Sequence, residues 1–287
     1  MKMKLDCIYH GDSEEVLRTF PDNSIDLIVT SPPYADNRKS TYGGVPINTY
    51  VEWFLPISKQ LYRVLKPDGS FILNVKERVV EGERGTYIYE LVLKMRQQGW
   101  FWTEEYIWYK KNTHPGLWPN RFRDLWEHLY HFTKSKKFRM YQDAVRVPVG
   151  AWAESRLSNL GKNDMVRFNS RTKSGFGKNI SNWVGRDYVY PGNVLHLATE
   201  SSNKNHSAAF PIELPNWFIR LFTKENDIVL DPFIGSGTTA VAAMRLRRHF
   251  TGMELKEEYY DVALKRIEEE MKRTEKSKLN IETLIQS

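Results

Sequence analysis

The chain has 287 residues, of which 41% are hydrophobic and 27% charged, values that exclude general disorder and fibrous repeats and leave room for one large domain or one domain carrying an inserted lobe. The formal net charge is +7, which attracts polyanions without identifying them. Cys7 is the only cysteine, so an intramolecular disulfide is excluded, and a reducing, cytoplasmic setting is expected.

Taken in order, Lys4 to Tyr9 reads as a short strand, and Ser13 is placed to cap a helix over 14–20. Ile25 to Thr30 (IDLIVT) is an apolar run of strand formers, predicted to be a buried strand. It stops at Ser31–Pro32–Pro33–Tyr34, because two prolines cannot continue a ladder. A helical pattern covers 51–65 despite Pro56, a strand 70–75 and a helix 86–98. Strands over 105–110 and 126–133 follow. From Lys134 to about 190 the chain turns polar and basic with poor periodicity, consistent with an insert or a long loop. Order returns with 193–197, a helix over 214–222, strands over 227–230 and 248–253 separated by a helix from about Thr238 to Leu246, and a charged helix over 257–276. The alternation describes an open α/β sheet with helices on both faces. No apolar stretch is long enough to span a bilayer, the N-terminus turns polar too soon for a secretory signal, and no membrane association is expected.

The segment 227–255 carries strand, glycine turn, helix and strand, closed by a carboxylate. Asp231, Phe233, Gly235, Ser236, Gly237 and Thr238 form the turn, and Glu254 at the end of the second strand is placed to accept ribose hydroxyls. A phosphate loop is disfavoured, because no lysine follows the second glycine, and the third glycine of a dinucleotide fingerprint is missing. S-adenosyl-L-methionine, with ribose, adenine and a zwitterionic end but no pyrophosphate, suits the acidic turn better, although a ligand-free glycine turn has the same local sequence.

At the earlier strand end, Pro32 and Pro33 stiffen the backbone and leave carbonyls without accompanying N–H groups. The Ser31 hydroxyl and a backbone carbonyl can together hold an NH₂ group, and Tyr34 offers a ring for a base to stack on. That pattern suits methylation of an exocyclic amine by direct in-line displacement on a base taken out of the duplex. Alone, the tetrapeptide is also an ordinary turn. Cys7 lies within a strand and is excluded as a nucleophile for carbon methylation. The histidines form no convincing metal set, since His128 and His131 point to opposite faces of one strand, and this chemistry needs no metal.

Thr30–Tyr34 (TSPPY) and Asp231–Thr239 (DPFIGSGTT), in that order, resemble the amino-methyltransferases of bacterial and archaeal restriction–modification systems, in the circular order of their beta class. The resemblance covers roughly 5–133 and 193–270. It implies an open, mostly parallel, Rossmann-like methyltransferase sheet, circularly permuted, with catalytic parts at 1–133 and 193–287 and a target-recognition insert at 134–192. It implies S-adenosyl-L-methionine as methyl donor and S-adenosyl-L-homocysteine as product. Through Tyr9–Asp12 and Phe210–Pro215 it adds Asp12, Phe210 and Pro211 to the cofactor residues. SPPY is frequent in N4-cytosine enzymes and DPPY in N6-adenine enzymes, so cytosine N4 is the first expectation and adenine N6 the alternative. Double-stranded DNA is the expected partner. The resembled class often dimerises and acts beside a separate restriction endonuclease.

Between 131 and 190 twelve basic residues face four acidic ones. Arg156, Arg167, Arg171, Lys173 and Lys178 are candidates for DNA contact, with Arg38 close behind the catalytic turn. For each insert residue alone an ordinary solvated charge is the better reading, for Arg38 ordinary surface is an equal one, and the cluster as a whole carries the expectation. An inactive nucleic-acid-binding homologue and an RNA or small-molecule methyltransferase are the competing functions.

Overall fold

A computed structural model describes residues 3–35, 44–113, 116, 119–150, 155, 158, 185–199 and 210–286. The chain forms two compact units, Met1–Tyr141 with Asn193–Ser287, and Gln142–Gly192. In the smaller unit the described residues form a short 3₁₀ turn over Gln142–Val145 and a ribbon pairing Val147–Pro148 with Tyr188–Val189.

Among the described residues the main sheet of the larger unit has eight strands: β1 (Cys7–His10), β2 (Ile25–Thr30), β3 (Leu65–Val75), β4 (Phe101–Lys110), β5 (Trp126–Thr133), β6 (Val194–Leu197), β7 (Ile228–Asp231) and β8 (His249–Glu254). Six α-helices among the described residues accompany them: α1 (Ser13–Leu17), α2 (Tyr50–Val64), α3 (Tyr87–Gln97), α4 (Glu213–Phe222), α5 (Thr238–Arg245) and α6 (Glu257–Gln286). The strand order is β1-β8-β7-β2-β3-β5-β4-β6. Only β5 runs antiparallel to its neighbours. This is the open, mostly parallel α/β sheet expected from the sequence, and its order sets β7 beside β2, across about 200 residues of chain.

The two faces are covered by different helices. Phe71, Trp100, Tyr130 and Phe132 lie in one core with the apolar sides of α1, α2 and α3. On the other face Phe218 and Phe222 of α4 meet Tyr106 and His131, with ring centroids 5.3 and 4.6 Å apart. Strand residues buried on both faces explain why IDLIVT is an unbroken apolar run.

Some boundaries move for identifiable reasons. Asp12, not Ser13, caps α1, its Oδ1 accepting from the N–H groups of Glu14 and Glu15 at 2.9 and 3.2 Å. Ser13 turns inward and donates to the Pro232 carbonyl at 2.5 Å. β3 starts at Leu65 rather than Ser70, running through Gly69, where a Cβ would sit 2.8 Å from the Asp26 carbonyl. The compact boundary falls at 141/142, where the composition step lies at 133/134. Residues 134–141 stay with the sheet because Arg139 binds the buried Asp26 carboxylate, which also accepts from Lys66 at 2.7 Å and from the Ile228 N–H at 2.9 Å.

Candidate active site

The carboxyl ends of β2 and β7 lie side by side, and a buried carboxylate joins them. Asp231 accepts from Thr30 Oγ1 and from Thr239 Oγ1, each at 2.6 Å, and from the Phe233 N–H at 3.1 Å. Burial pushes its pKa up to about 6, against the opposing pull of those hydrogen bonds. Both oxygens are thus engaged by the protein, and Asp231 fastens the glycine turn to the strand bearing Ser31 instead of facing outward.

The turn itself bends at Gly235 (φ 52°) and Gly237 (φ 83°), the left-handed region that disfavours any residue with a Cβ. The Gly235 N–H donates to Glu254 Oε2 at 3.0 Å, and Glu254 Oε1 accepts from the Lys256 N–H at 2.9 Å. Burial raises the Glu254 pKa, and the backbone donors oppose that shift. Arg266 of α6, not anticipated from the sequence, closes the turn from behind. Its Nη1 donates to the Ser236 carbonyl, Ser236 Oγ and Thr238 Oγ1 at 2.9, 2.8 and 3.2 Å. The Ser236 and Thr238 side chains are buried against that guanidinium. Phe233 packs on Trp53 and Phe54 of α2 at 5.6 and 6.3 Å. Gly237→Ala is expected to destabilise the fold by about 2 kcal/mol, because its Cβ would also meet that of Ala263 at 3.2 Å. Urea unfolding measures this.

The Ser-Pro-Pro-Tyr turn meets a cluster that the sequence pattern did not reveal. Ser31 Oγ lies 3.4 Å from the Tyr34 hydroxyl, which donates to Glu127 Oε2 at 2.6 Å. Asn74 Nδ2 donates to the same carboxylate oxygen at 3.1 Å, and Lys110 pairs with the other. Asn74 Oδ1 is buried without a hydrogen-bond partner among the described residues. Glu127 is 3% exposed. Its position follows from topology: β5 runs antiparallel, so its first residues stand at the edge where the parallel strands end. Burial and the neighbouring Glu127 charge raise the Tyr34 pKa well above its usual range, so the phenol remains a donor at neutral pH. The only sequence signal was a carboxylate inside the strand WEHLYHFT.

His128, next in the strand, points the other way and sits between Glu105, 2.5 Å from Nδ1, and Glu77, 3.3 Å from Nε2. His131 lies on the opposite face, its pKa lowered by burial to about 3. Asp12 caps α1 through Oδ1. Phe210 and Pro211 are buried immediately before α4. Arg38, Arg156, Arg167, Arg171, Lys173 and Lys178 lie outside the described residues.

Two adjacent parallel strands, one ending in a carboxylate-bound glycine turn and the other in a rigid Ser-Pro-Pro-Tyr turn, define a methyltransferase of the amino-directed class. The family model described as DNA methylase matches residues 25–265, and the chain belongs to that family. It is 33% identical over 276 residues to the type II methyltransferase M.PvuII of Proteus hauseri, covering 88% of this chain and 80% of that protein. It is 33% identical over 274 residues to M.BglII of Bacillus subtilis, covering 91% and 69%. The solved PvuII DNA methyltransferase (cytosine-N4-specific) superposes with a TM-score of 0.68 at 26% identity, covering 95% of this chain and 93% of that one. A Thermus thermophilus chain provisionally described as a DNA modification methylase, solved with S-adenosyl-L-methionine, gives 0.61 at 25% identity, covering 92% and 93%.

Proposed function

We propose that this chain methylates the exocyclic N4 of a cytosine extruded from double-stranded DNA, using S-adenosyl-L-methionine. The observation that carries the reading is the Thr30–Asp231 hydrogen bond, which fastens the amine-binding turn to the glycine turn on the neighbouring strand. The likeness to the cytosine-N4-specific PvuII enzyme supports cytosine over adenine.

The glycine turn fits the methyl donor. Gly235 and Gly237 keep the backbone free of Cβ atoms, and Glu254 ends β8 with a carboxylate suited to ribose hydroxyls. S-adenosyl-L-methionine, when bound there, supplies an electrophilic methyl group and leaves as S-adenosyl-L-homocysteine. The chain's own residues handle the amine. Ser31 Oγ and the Pro32 carbonyl accept its two N–H bonds, reducing lone-pair delocalisation into the ring, and Asn74 Oδ1 adds an acceptor in the same cluster. Tyr34, anchored by Glu127, holds the ring plane. Positioning of this kind accounts for much of such a rate enhancement. The names of the type II relatives support a role beside a separate restriction endonuclease.

Incubation of purified protein with unmethylated plasmid DNA and labelled S-adenosyl-L-methionine, followed by nucleoside mass spectrometry, tests the reading. N4-methyldeoxycytidine is expected. N6-methyldeoxyadenosine would overturn the base assignment, and neither product, despite measurable cofactor binding, would overturn DNA as substrate.

A further inference from the structure

Phe122 is 94% exposed, far more than any other large apolar side chain among the described residues. It stands between Arg121 and Arg123 in the segment joining β4 to β5. The described residues 119–125 of that segment lead into the first residue of antiparallel β5, at the edge of the sheet where β4 ends. The two residues that follow Phe122 are tied to the larger unit. Asp124 pairs with Arg84 at 2.6 Å and with Lys76 at 3.3 Å, while Arg123 Nη1 donates to the Thr113 carbonyl at 3.4 Å. Five residues later Glu127 holds the Tyr34 hydroxyl, so the Cα of Phe122 lies at most about 18 Å from that of Glu127. An aromatic ring exposed to water, adjoined in the chain by two cations and within about 18 Å of Glu127, meets the chemical requirements of a stacking wedge.

Resting on the DNA methyltransferase reading, we infer that Phe122 enters the base stack next to the extruded nucleotide, with Arg121 and Arg123 facing the flanking phosphates. Extrusion leaves a gap in the stack, and the ring fills it with an aromatic surface that does not depend on sequence. Charge complementarity selects a nucleic acid as the occupant: Arg121 and Arg123 adjoin Phe122 in the chain, and the Asp124 carboxylate beside them is neutralised by Lys76 and Arg84.

The test compares full-length wild type, Phe122→Ala and Phe122→Trp on two duplexes carrying the mapped target cytosine. One duplex is fully paired, and the other lacks the base opposite the target, so extrusion is already eased. Phe122→Ala is expected to lower kcat/KM at least tenfold on the paired duplex and less than threefold on the other, and Phe122→Trp to retain most activity on both. Since the ring is exposed, melting temperatures should agree among the three proteins. Equal losses on both duplexes, or no loss on the paired one, overturn the wedge. A wild type that methylates no DNA at all overturns the methyltransferase reading first and removes the wedge with it.

Discussion

Glu127→Ala is expected to lower kcat by about a hundredfold, the scale seen when a preorganised group at a reaction centre is removed. Affinity for DNA should change by less than about threefold, because Glu127 is buried and acts through Tyr34 rather than on the duplex. The substitution frees the Tyr34 phenol, removes one partner of Asn74 and leaves Lys110 without its counter-charge. Breaking a buried pair of this kind also costs about 3 kcal/mol of stability, so the alanine variant alone does not separate positioning from folding. Glu127→Gln does. Its amide oxygen still accepts from the phenol, and the expected loss is about tenfold. Tyr34→Phe keeps the ring and loses only its anchor, so it should resemble Glu127→Gln. A Tyr34→Phe variant as active as wild type, or one as impaired as Tyr34→Ala, would sink the anchoring role. So would a set of kcat values that simply follows melting temperature.

Glu127 also marks where sequence reading stops. WEHLYHFT gives the strand over 126–133 with its true ends, and IDLIVT gives β2, because apolar content and β-branching are local properties. Which direction a strand runs is not local. Antiparallel pairing of β5 with β3 and β4 carries Glu127 to the crevice edge, and a one-dimensional pattern holds no trace of that pairing. The same holds for β7, whose insertion between β8 and β2 unites two motifs from opposite ends of the chain. Their joint presence carries the family resemblance, while the Thr30–Asp231 hydrogen bond that joins them needed coordinates. Asp231 was legible as a member of the turn but not as its fastening. A carboxylate at a strand end can face a ligand or its own backbone, and only the positions of Thr30 and Thr239 decide. Capping by Asp12 instead of Ser13 is a smaller case, since either residue type serves at that position.

Asp231 gives the second large effect. Asp231→Ala would leave the Thr30 and Thr239 hydroxyls and the Phe233 N–H without their acceptor inside the protein. The expected cost is about 4 kcal/mol, with loss of methyl transfer because the two turns lose their common support. Asp231→Asn keeps the shape and removes the ionisation, so it isolates the effect of charge. The native carboxyl titrates at about 6, against about 3.9 in an unfolded chain. Between those values the folded state holds the proton that the unfolded state has released. Stability from this group is therefore fully present below pH about 4 and is lost as pH rises through about 6, a total of roughly 3 kcal/mol. About half of that change falls between pH 5 and pH 8. Urea unfolding across this window should show wild type losing stability relative to Asp231→Asn by about 1.4 kcal/mol, with the gap constant above pH about 7. Parallel curves for the two proteins would mean that the carboxyl is already ionised at pH 5 and that its three donors outweigh its burial. The direction matters for function: a charged Asp231 holds both threonine hydroxyls as donors, so the connection between the turns is strongest in the state that is least favourable to bury.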